Sequence, residues 1–310
     1  MSKPMSKKME NKKVAVLLST YNGEKYLEQQ LQSIFYQTYK NIELYVRDDG
    51  STDGTLDILK KYENQGMLKL TVGENLGYCE SFYSLLRNTN EADYYSFADQ
   101  DDIWLENKIK TAVTALNGVE KEMPALYFCE FDYYDTDMNF VSHKKKLRQA
   151  ITFPYALASF SVYAFTCVFN SEMRELFLKM PSGNSFPPDY LLLQLAASMG
   201  KVLYDTDVYA KYRRHEKNAS MSNQNFIKLL FWRIKNFLIN DNFDYKAKWS
   251  ALYDVYCEEL SVDDKAILSW FAEEKYRLAY ALRKSFYSKR YRETLFDEIA
   301  VRFMFAVGRL

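Results

Sequence analysis

The sequence has no excess of charge of either sign. Its 310 residues include 41 Lys plus Arg and 41 Asp plus Glu, so the formal net charge is zero. Proteins that bind nucleic acid usually carry a basic excess, so we expect no nucleic-acid partner. Hydrophobic residues make up 48% and charged residues 26%, which is ordinary for a globular chain. The length suits one large domain, or a large domain with a smaller appendage.

The sequence also lacks cysteine pairs, an apolar leader and a long apolar run. Its four cysteines are scattered, without CxxC or zinc-ligand spacing, which favours reduced thiols in a reducing compartment. Residues 1–13 are charged and have no apolar core, unlike a signal peptide. No run approaches the roughly 20 apolar residues of a membrane-spanning helix. These absences predict a cytoplasmic protein, with contact at the inner face of the membrane left open.

Apolar runs of strand length alternate with helix-periodic segments through the first hundred residues. This alternation predicts an α/β fold, with a mainly parallel sheet and helices on both faces. The expected strands are Val14–Ser19, Ile42–Val46, Leu68–Val72 and Tyr94–Ala98.

The pattern continues more irregularly and then changes. We predict a helix ending near Asn117, two further strands (Ala125–Phe131 and Val202–Tyr212), and an irregular aromatic segment over residues 151–170. From Asn225 onward the periodicity is helical only. The predicted organisation is therefore a polar leader (1–12), a catalytic domain (13–220) whose halves divide near residue 118, and a C-terminal helical region (221–310).

Polar loops follow each of the first four predicted strands, at residues 19–23, 48–54, 75–77 and 99–102. Each loop alone could be a turn or a helix cap. Open parallel sheets bind ligands beyond the carboxyl ends of their strands. Four such loops at one edge of one sheet therefore predict a ligand site.

The fourth loop carries three carboxylates, Asp99, Asp101 and Asp102, directly after an apolar strand. Their mutual repulsion calls for a cation, unless the loop is simply a solvated acidic turn. Oxygen ligands suit Mg²⁺ or Mn²⁺, which also bridge to phosphates. The sequence has no GxxxxGK[ST], and no GxGxxG follows the first strand. The glycine-rich loops that bind phosphate in P-loop and dinucleotide-binding proteins are therefore missing. A bound nucleotide would instead be held through the metal.

Three motifs, STYNGE (19–24), RDDGSTD (47–53) and FADQDDIW (97–104), resemble those of glycosyltransferase family 2, which has the GT-A fold. The DQDDxW variant is most similar to the bacterial rhamnosyltransferase-type branch. The resemblance covers about residues 13–220. It implies a metal-dependent, inverting transferase that moves a sugar from a nucleotide-sugar to an acceptor hydroxyl.

The resemblance also assigns roles within the loops. Asp49 should accept a hydrogen bond from the N3–H that uracil and thymine share. Asp101, and in part Asp99, should ligate Mn²⁺ or Mg²⁺. The residues expected to contact the donor nucleotide are Ser19, Tyr21, Asp49, Asn75 and Asp99.

The catalytic base implied by the resemblance is Asp189, in the PDYL segment (188–191), although the residue before the base is usually Glu or His. An Asp at a helix start is also a common cap. In the YRRH segment (212–215), His215 should ligate the metal, while Arg213 and Arg214 should lie near the diphosphate. A surface basic cluster is the alternative for this segment. Thr166 and Trp104 are expected at the acceptor.

The predicted activity is transfer of a hexose or deoxyhexose from a UDP- or dTDP-sugar, with rhamnose, glucose and galactose all open. The expected acceptor is a glycan, glycoprotein or lipid-linked hydroxyl in bacterial surface polysaccharide or glycoprotein synthesis. A non-catalytic binding protein that keeps the fold is one alternative. A sugar nucleotidyltransferase is another, but its glycine- and arginine-rich N-terminal loop is missing. The C-terminal helices predict either a homo-oligomer or a peripheral membrane contact, and the acidic residues between Asp241 and Glu259 favour the oligomer, because they would disfavour anionic lipid.

Overall fold

The computed structural model describes residues 12–159, 161–183, 186–215, 245–273, 275 and 277–308. The chain divides into two compact units. The first contains residues 1–147 and 160–213, and the second contains residues 148–159 and 214–310. The predicted boundary near residue 220 lies outside the described residues.

The first unit is built on a nine-stranded sheet. Its strands are β1 (Val14–Thr20), β2 (Ile42–Asp48), β3 (Lys69–Val72), β4 (Tyr94–Ala98), β5 (Ile103–Trp104), β6 (Ala125–Tyr134), β7 (Phe140–His143), β8 (Cys167–Asn170) and β9 (Lys201–Arg213). The strand order is β3-β2-β1-β4-β8-β6-β9-β5, and β7 pairs with β6 outside this path.

The first four strands form the parallel part of the sheet. Strand β1 pairs in parallel with β2 and β4, and β2 pairs in parallel with β3. Strand β1 is buried except for Ser19, as expected when both faces of a parallel sheet are covered. The carboxyl ends of these strands therefore meet at one edge, where the four polar loops begin.

The rest of the sheet is mixed. Strand β8 runs antiparallel to β4 and β6, β5 runs antiparallel to β9, and β9 runs parallel to β6. The predicted α/β fold is confirmed, and this mixed half adds detail that the alternation did not show. Strand β5 has two residues and β7 has four. Strands this short do not show a recognisable alternation of apolar and polar residues.

Helices flank the sheet of the first unit: α1 (Glu24–Phe35), α2 (Thr55–Glu63), α3 (Gly77–Asn88), α4 (Lys108–Leu116), α6 (Ser171–Leu178) and α7 (Pro188–Met199). Helix α5 (Phe153–Ala158) belongs to the second unit. The predicted start of α2 at Asp53 differs by two residues, because the Asp53 carboxylate accepts from the Thr55 amide at 3.0 Å and so lies before the helix.

The second unit is helical where it is described, in agreement with the periodicity after residue 225. Its remaining helices are α8 (Tyr245–Tyr256), α9 (Val262–Ala272), α10 (Leu278–Ser285) and α11 (Leu295–Ala306). Their core is aromatic: the Phe271 ring lies 4.9 Å from Trp249 and 5.3 Å from Phe305. Over the residues that the structure describes, no helix combines the length and apolarity needed to cross a bilayer.

Candidate functional site

The loops after β1 and β2 are joined by their own polar side chains. Asn22 adopts a left-handed conformation, with φ at 47°. Its backbone N–H donates to Ser51 Oγ at 2.9 Å, and its side-chain oxygen accepts from the Thr52 N–H at 2.8 Å. The Gly23 N–H donates to Thr55 Oγ1 at 2.8 Å. The STYNGE and RDDGSTD segments therefore form one hydrogen-bonded structure.

The fourth loop is tied to the first through Gln100. Its amide accepts from the Tyr21 N–H at 2.9 Å and donates to the Tyr21 carbonyl at 3.0 Å. A Cβ on Gly23 would overlap the end of the Gln100 side chain, so a larger residue there would displace this amide from Tyr21. The Tyr21 side chain stays 46% exposed and offers a ring face at this edge. Ser19 Oγ donates to Ser81 Oγ at 2.7 Å.

On the expectation that the donor nucleotide binds at these loops, Gln100→Ala should weaken nucleotide binding about tenfold while leaving the transfer rate at saturating donor nearly unchanged. Two neutral hydrogen bonds, each contributing about 0.5–1.5 kcal/mol, hold the Tyr21 backbone in place. Calorimetric titration of UDP and dTDP would measure the loss. Gln65→Ala, a change of the same kind at an exposed position, is the control. An unchanged dissociation constant would contradict this role for Gln100.

Asp49 is buried and fixes the third loop. Its carboxylate accepts from the backbone N–H groups of Leu76 and Gly77 at 2.9–3.0 Å and pairs with Arg47. Arg47 also donates to the Glu74 carbonyl at 2.8 Å. The predicted contact of Asp49 with a base would thus be made by a carboxylate that already positions a loop. Asn75 is exposed, and its side chain accepts from the Gly77 N–H at 2.9 Å.

Arg47→Ala should lower the free energy of unfolding by about 3–5 kcal/mol, because it leaves the buried Asp49 carboxylate without its cation. The side chains of this pair are 6% and 3% exposed. Urea denaturation would measure the change. The exposed pair Lys61–Glu28 provides the contrast, since Lys61→Ala should leave stability unchanged within error. Equal effects of the two substitutions would show that the Arg47 pair is not a stabilising contact.

A cluster of carboxylates gathers beyond β4. Burial, followed by repulsion from Asp101 and Asp189, raises the pKa of Asp99 to about 8. Asp189, which is 90 residues further along the chain, therefore lies within electrostatic reach of this loop. Asp102 is fully buried, and burial together with Asp101 and Asp99 raises its pKa. Its Oδ1 accepts from the Arg213 N–H at 3.1 Å.

Asp189 occupies the first turn of α7. Its Oδ1 accepts from the N–H of the next residue, Tyr190, at 2.9 Å, but the N-cap position of α7 is Pro187, so Asp189 is not the capping residue of this helix. Burial raises the pKa of Asp189 to about 6, against the lowering effect of hydrogen bonds from the backbone, including that of Ala164. Such a carboxylate is ionised at neutral pH and is a stronger base than an exposed aspartate.

The structure places Arg213 inside the first unit, with 2% of its surface exposed. Its guanidinium donates to the carbonyls of Asp101 and Thr136 at 2.9 and 2.8 Å. It also lies 4.5 Å from the centre of the Tyr26 ring. These contacts give Arg213 a positioning role behind the acidic loop. The other two members of the YRRH segment, Arg214 and His215, are half-buried and fall in the second unit.

Thr166 and Trp104, the residues expected at the acceptor, are both buried. Thr166 Oγ1 donates to the Tyr163 carbonyl at 2.7 Å. The Trp104 ring lies 3.7 Å from Nζ of the buried Lys108, whose pKa burial lowers to about 8. Trp104 also borders an open cavity of about 690 Å³ along α1. The carboxylate cluster is not among the described residues that line this cavity.

Sequence reasoning missed the roles of Gln100, Arg47 and Lys108. A weak signal existed for Arg47, because a cation interrupts an apolar strand immediately before two aspartates. Nothing in the sequence distinguished Gln100 from any other polar loop residue.

The carboxylates near Asp99 fit a divalent cation of the Mg²⁺ or Mn²⁺ type. Over the described part of the chain, no three His, Cys, Asp or Glu side chains converge as a complete metal site. Asp99 and Asp101 can supply two oxygen ligands, and such ions commonly take the others from substrate phosphate and water. Burial, and then the nearby carboxylates of Asp101 and Asp189, raise the pKa of Asp99, and a bound cation would offset both effects.

The sequence matches the model of glycosyl transferase family 2 over residues 15–177. A dTDP-rhamnosyl transferase of Shigella flexneri is 37% identical over 105 residues, which cover 32% of this chain and only 36% of that protein. An uncharacterized glycosyltransferase of Rickettsia typhi is 24% identical over 289 residues, which cover 91% of this chain and 83% of that protein.

Solved structures share the fold at lower identity. TarS of Staphylococcus aureus in complex with UDP-GlcNAc superposes with a TM-score of 0.53 at 18% identity, covering 88% of this chain and 81% of that one. A mannosyltransferase of Pyrobaculum calidifontis in complex with GDP-Man and Mn²⁺ gives a TM-score of 0.50 at 16% identity, covering 96% and 75% of the two chains. The match over residues 15–177 spans more than half of the 310 residues, and this chain therefore belongs to glycosyl transferase family 2.

Proposed function

We propose that the protein is a metal-dependent, inverting glycosyltransferase that moves a hexose or deoxyhexose from a UDP- or dTDP-sugar to a hydroxyl of a glycan acceptor. One observation carries this proposal: Asp189 of α7 lies within electrostatic reach of Asp99, in the loop after β4. The residue proposed as the base and the pair proposed to bind the cation are thus near each other at one edge of the sheet.

The nucleotide would bind across the joined loops after β1 and β2. The exposed ring of Tyr21 suits stacking on a planar base, with Ser19 beside it. Asp49 and Asn75 would lie at the base edge that uracil and thymine share. A pyrimidine donor agrees with the names of two similar proteins, a dTDP-rhamnosyl transferase and TarS in complex with UDP-GlcNAc.

Asp99 and Asp101 would hold Mn²⁺ or Mg²⁺. The roles that the resemblance implies for His215 at the metal and Arg214 at the diphosphate stay predictions, since both residues fall in the second unit. When bound, the ion supplies positive charge that stabilises the departing nucleoside diphosphate. A bound Mn²⁺ in the mannosyltransferase of the same fold supports this choice of ion. Arg213 would act indirectly, since it holds the carbonyl of Asp101.

Asp189 would take the proton of the acceptor hydroxyl while that oxygen attacks the anomeric carbon from the side opposite the diphosphate. A single displacement of this kind inverts the anomeric configuration. The hydrogen bonds from Tyr190 and Ala164 orient the carboxylate. The backbone next to Thr166 therefore borders the base, although the Thr166 hydroxyl itself is turned to Tyr163.

The acceptor would be a glycan, a glycoprotein or a lipid-linked sugar in bacterial surface polysaccharide or glycoprotein synthesis, used at the cytoplasmic side. Family membership and the similarity to the rhamnosyl transferase support this assignment. Rhamnose, glucose and galactose are the donor sugars to test first.

The test is release of nucleoside diphosphate from a panel of UDP-, dTDP- and GDP-sugars, with Mn²⁺ or Mg²⁺ present. Slow, metal-dependent hydrolysis of one donor would support the proposal and identify the sugar. Calorimetric titration of UDP and dTDP completes the experiment. Nucleotide binding without turnover on any acceptor would favour a non-catalytic protein of the same fold, and no binding at all would contradict the proposed donor class.

A further inference from the structure

Helix α11 is apolar on two opposite faces. One face is buried in the core of the second unit through Val301 and Phe305. The opposite face is exposed, and no charged residue falls within it at helical spacing. Helices at a protein surface normally expose polar residues there. The exposed side chains of this face are 47–68% accessible: Leu295, Phe296, Ile299, Phe303 and Val307.

Helix α10 adds a second apolar stripe. Leu278, Leu282 and Phe286 recur at intervals of four residues and are 61%, 45% and 80% exposed. The buried side of α10 shares the core with α11, since Lys284 Nζ lies 4.9 Å from the Phe305 ring. Both stripes therefore face away from that shared core. We call these eight exposed side chains of α10 and α11 the apolar face.

The surroundings of the apolar face are basic. Residues 277–308 contain seven Lys or Arg and three Asp or Glu. All three acids accept hydrogen bonds from their own unit: Glu293 from the Arg148 N–H, Asp297 from Thr294, and Glu298 from the Tyr291 and Arg292 N–H groups. The exposed charged residues of this stretch are Arg277, Arg283 and Lys289, and all three are cations. Arg277 pairs with Glu273, and Lys289 lies within electrostatic reach of Asp264, but no acid within residues 277–308 is itself exposed, so the exposed charge of these residues is positive.

We propose that the apolar face docks onto a bilayer that contains anionic lipid, with Arg283 and Lys289 among the lipid headgroups. An apolar stripe bordered by cations is the arrangement of helices that lie in the membrane interface. A symmetric dimer through the same face would bring the positive rims of two copies together, which is unfavourable. The charge of the rim therefore favours an anionic lipid surface over a second copy of the chain.

The experiment is cosedimentation of the full chain with vesicles of phosphatidylcholine, with and without phosphatidylglycerol, at low and high salt. We expect binding that depends on the anionic lipid and weakens with salt. Leu282→Ser with Ile299→Ser should weaken it roughly 100-fold, because two large apolar side chains no longer reach the acyl region. Val262→Ser, a similar change at an exposed position outside the apolar face, should leave binding unchanged.

A charge-reversal pair tests the rim separately. Arg283→Glu with Lys289→Glu should weaken vesicle binding at least about tenfold. Lys60→Glu with Lys110→Glu gives the same net charge at exposed positions of the first unit and should have little effect. Circular dichroism and thermal melts confirm folding of each variant.

Three outcomes would overturn the proposal. The first is equal binding to neutral and anionic vesicles. The second is a monomer in light scattering that ignores both vesicles, which would mean that something other than lipid covers the face. The third is a dimer that ignores vesicles and dissociates on Leu282→Ser with Ile299→Ser, which would identify a second copy as the occupant. None of these measurements uses a sugar donor. Their results therefore test membrane binding independently of the proposed transfer reaction.

Discussion

Asp189→Asn should lower the rate of sugar transfer by about 10²- to 10⁴-fold, with little change in the dissociation constant for the nucleotide. Asparagine keeps the oxygen that accepts from the Tyr190 N–H, so α7 retains its first-turn hydrogen bond. It cannot take a proton from the acceptor hydroxyl. Initial rates at saturating donor and acceptor, with calorimetric titration of UDP, measure the two effects separately.

The pH dependence of the rate provides a second readout for Asp189. Because burial raises its pKa to about 6, the carboxylate is ionised above that pH and protonated below it. The wild-type rate should therefore fall as the pH drops through about 6. The residual rate of Asp189→Asn should lose this step. Asp57→Asn, an exposed aspartate in the first turn of α2, should keep both the rate and the step.

Parallel loss of nucleotide affinity, thermal stability and activity in Asp189→Asn would contradict a role as base. The side chain would then have only a structural role in the first turn of α7, where it accepts from the Tyr190 N–H. What favours the catalytic role is that Asp189 lies within electrostatic reach of Asp99, which a structural role in the helix does not require.

The parallel half of the fold was predictable because its signals are local. Strand β1 begins as a continuous apolar run, β4 is apolar apart from Ser96, β2 has an apolar centre at residues 44–46, and the residues that follow these strands are polar. The rule that ligands bind at the carboxyl ends of parallel strands then places four loops together. Asp189 was predictable only by resemblance, since its approach to Asp99 depends on how α7 packs after β8.

The remaining site residues depended on packing that no local pattern encodes. Arg213 has the residue type of a phosphate ligand, yet its guanidinium lies among backbone carbonyls inside the first unit. Thr166 and Trp104 have side chains suited to a sugar site, yet both are buried. An arginine or tryptophan contributes to a core or to a binding surface with the same side chain, and only the tertiary structure decides between the two.

The structure predicts opposite effects of Asp101→Ala on activity and on the stability of the metal-free protein. The rate of transfer should fall on the order of 10²- to 10³-fold, because the variant loses a proposed ligand of the cation that would offset the diphosphate charge. In the absence of a divalent cation, the variant should be at least as stable as the wild type. Asp101 raises the pKa of both Asp99 and Asp102, and we expect the relief of this repulsion to exceed the loss of its attraction to the buried Arg213 guanidinium.

Thermal denaturation with and without Mn²⁺ and UDP separates these effects without measuring turnover. At a cation concentration about 100 times the dissociation constant, the wild type should gain about 2.7 kcal/mol of stability, and Asp101→Ala should gain almost none. Asp57→Ala serves as the matched control and should respond as the wild type does. An equal response of Asp101→Ala to Mn²⁺ would place the cation elsewhere. If the metal-free variant were instead less stable than the wild type, Asp101 would be a structural residue. Repulsion among the carboxylates would then not destabilise the metal-free protein. We therefore expect the carboxylate cluster to lower the stability of the metal-free protein and to raise stability once the cation is bound. A cluster that served folding alone would not lower the stability of the metal-free protein.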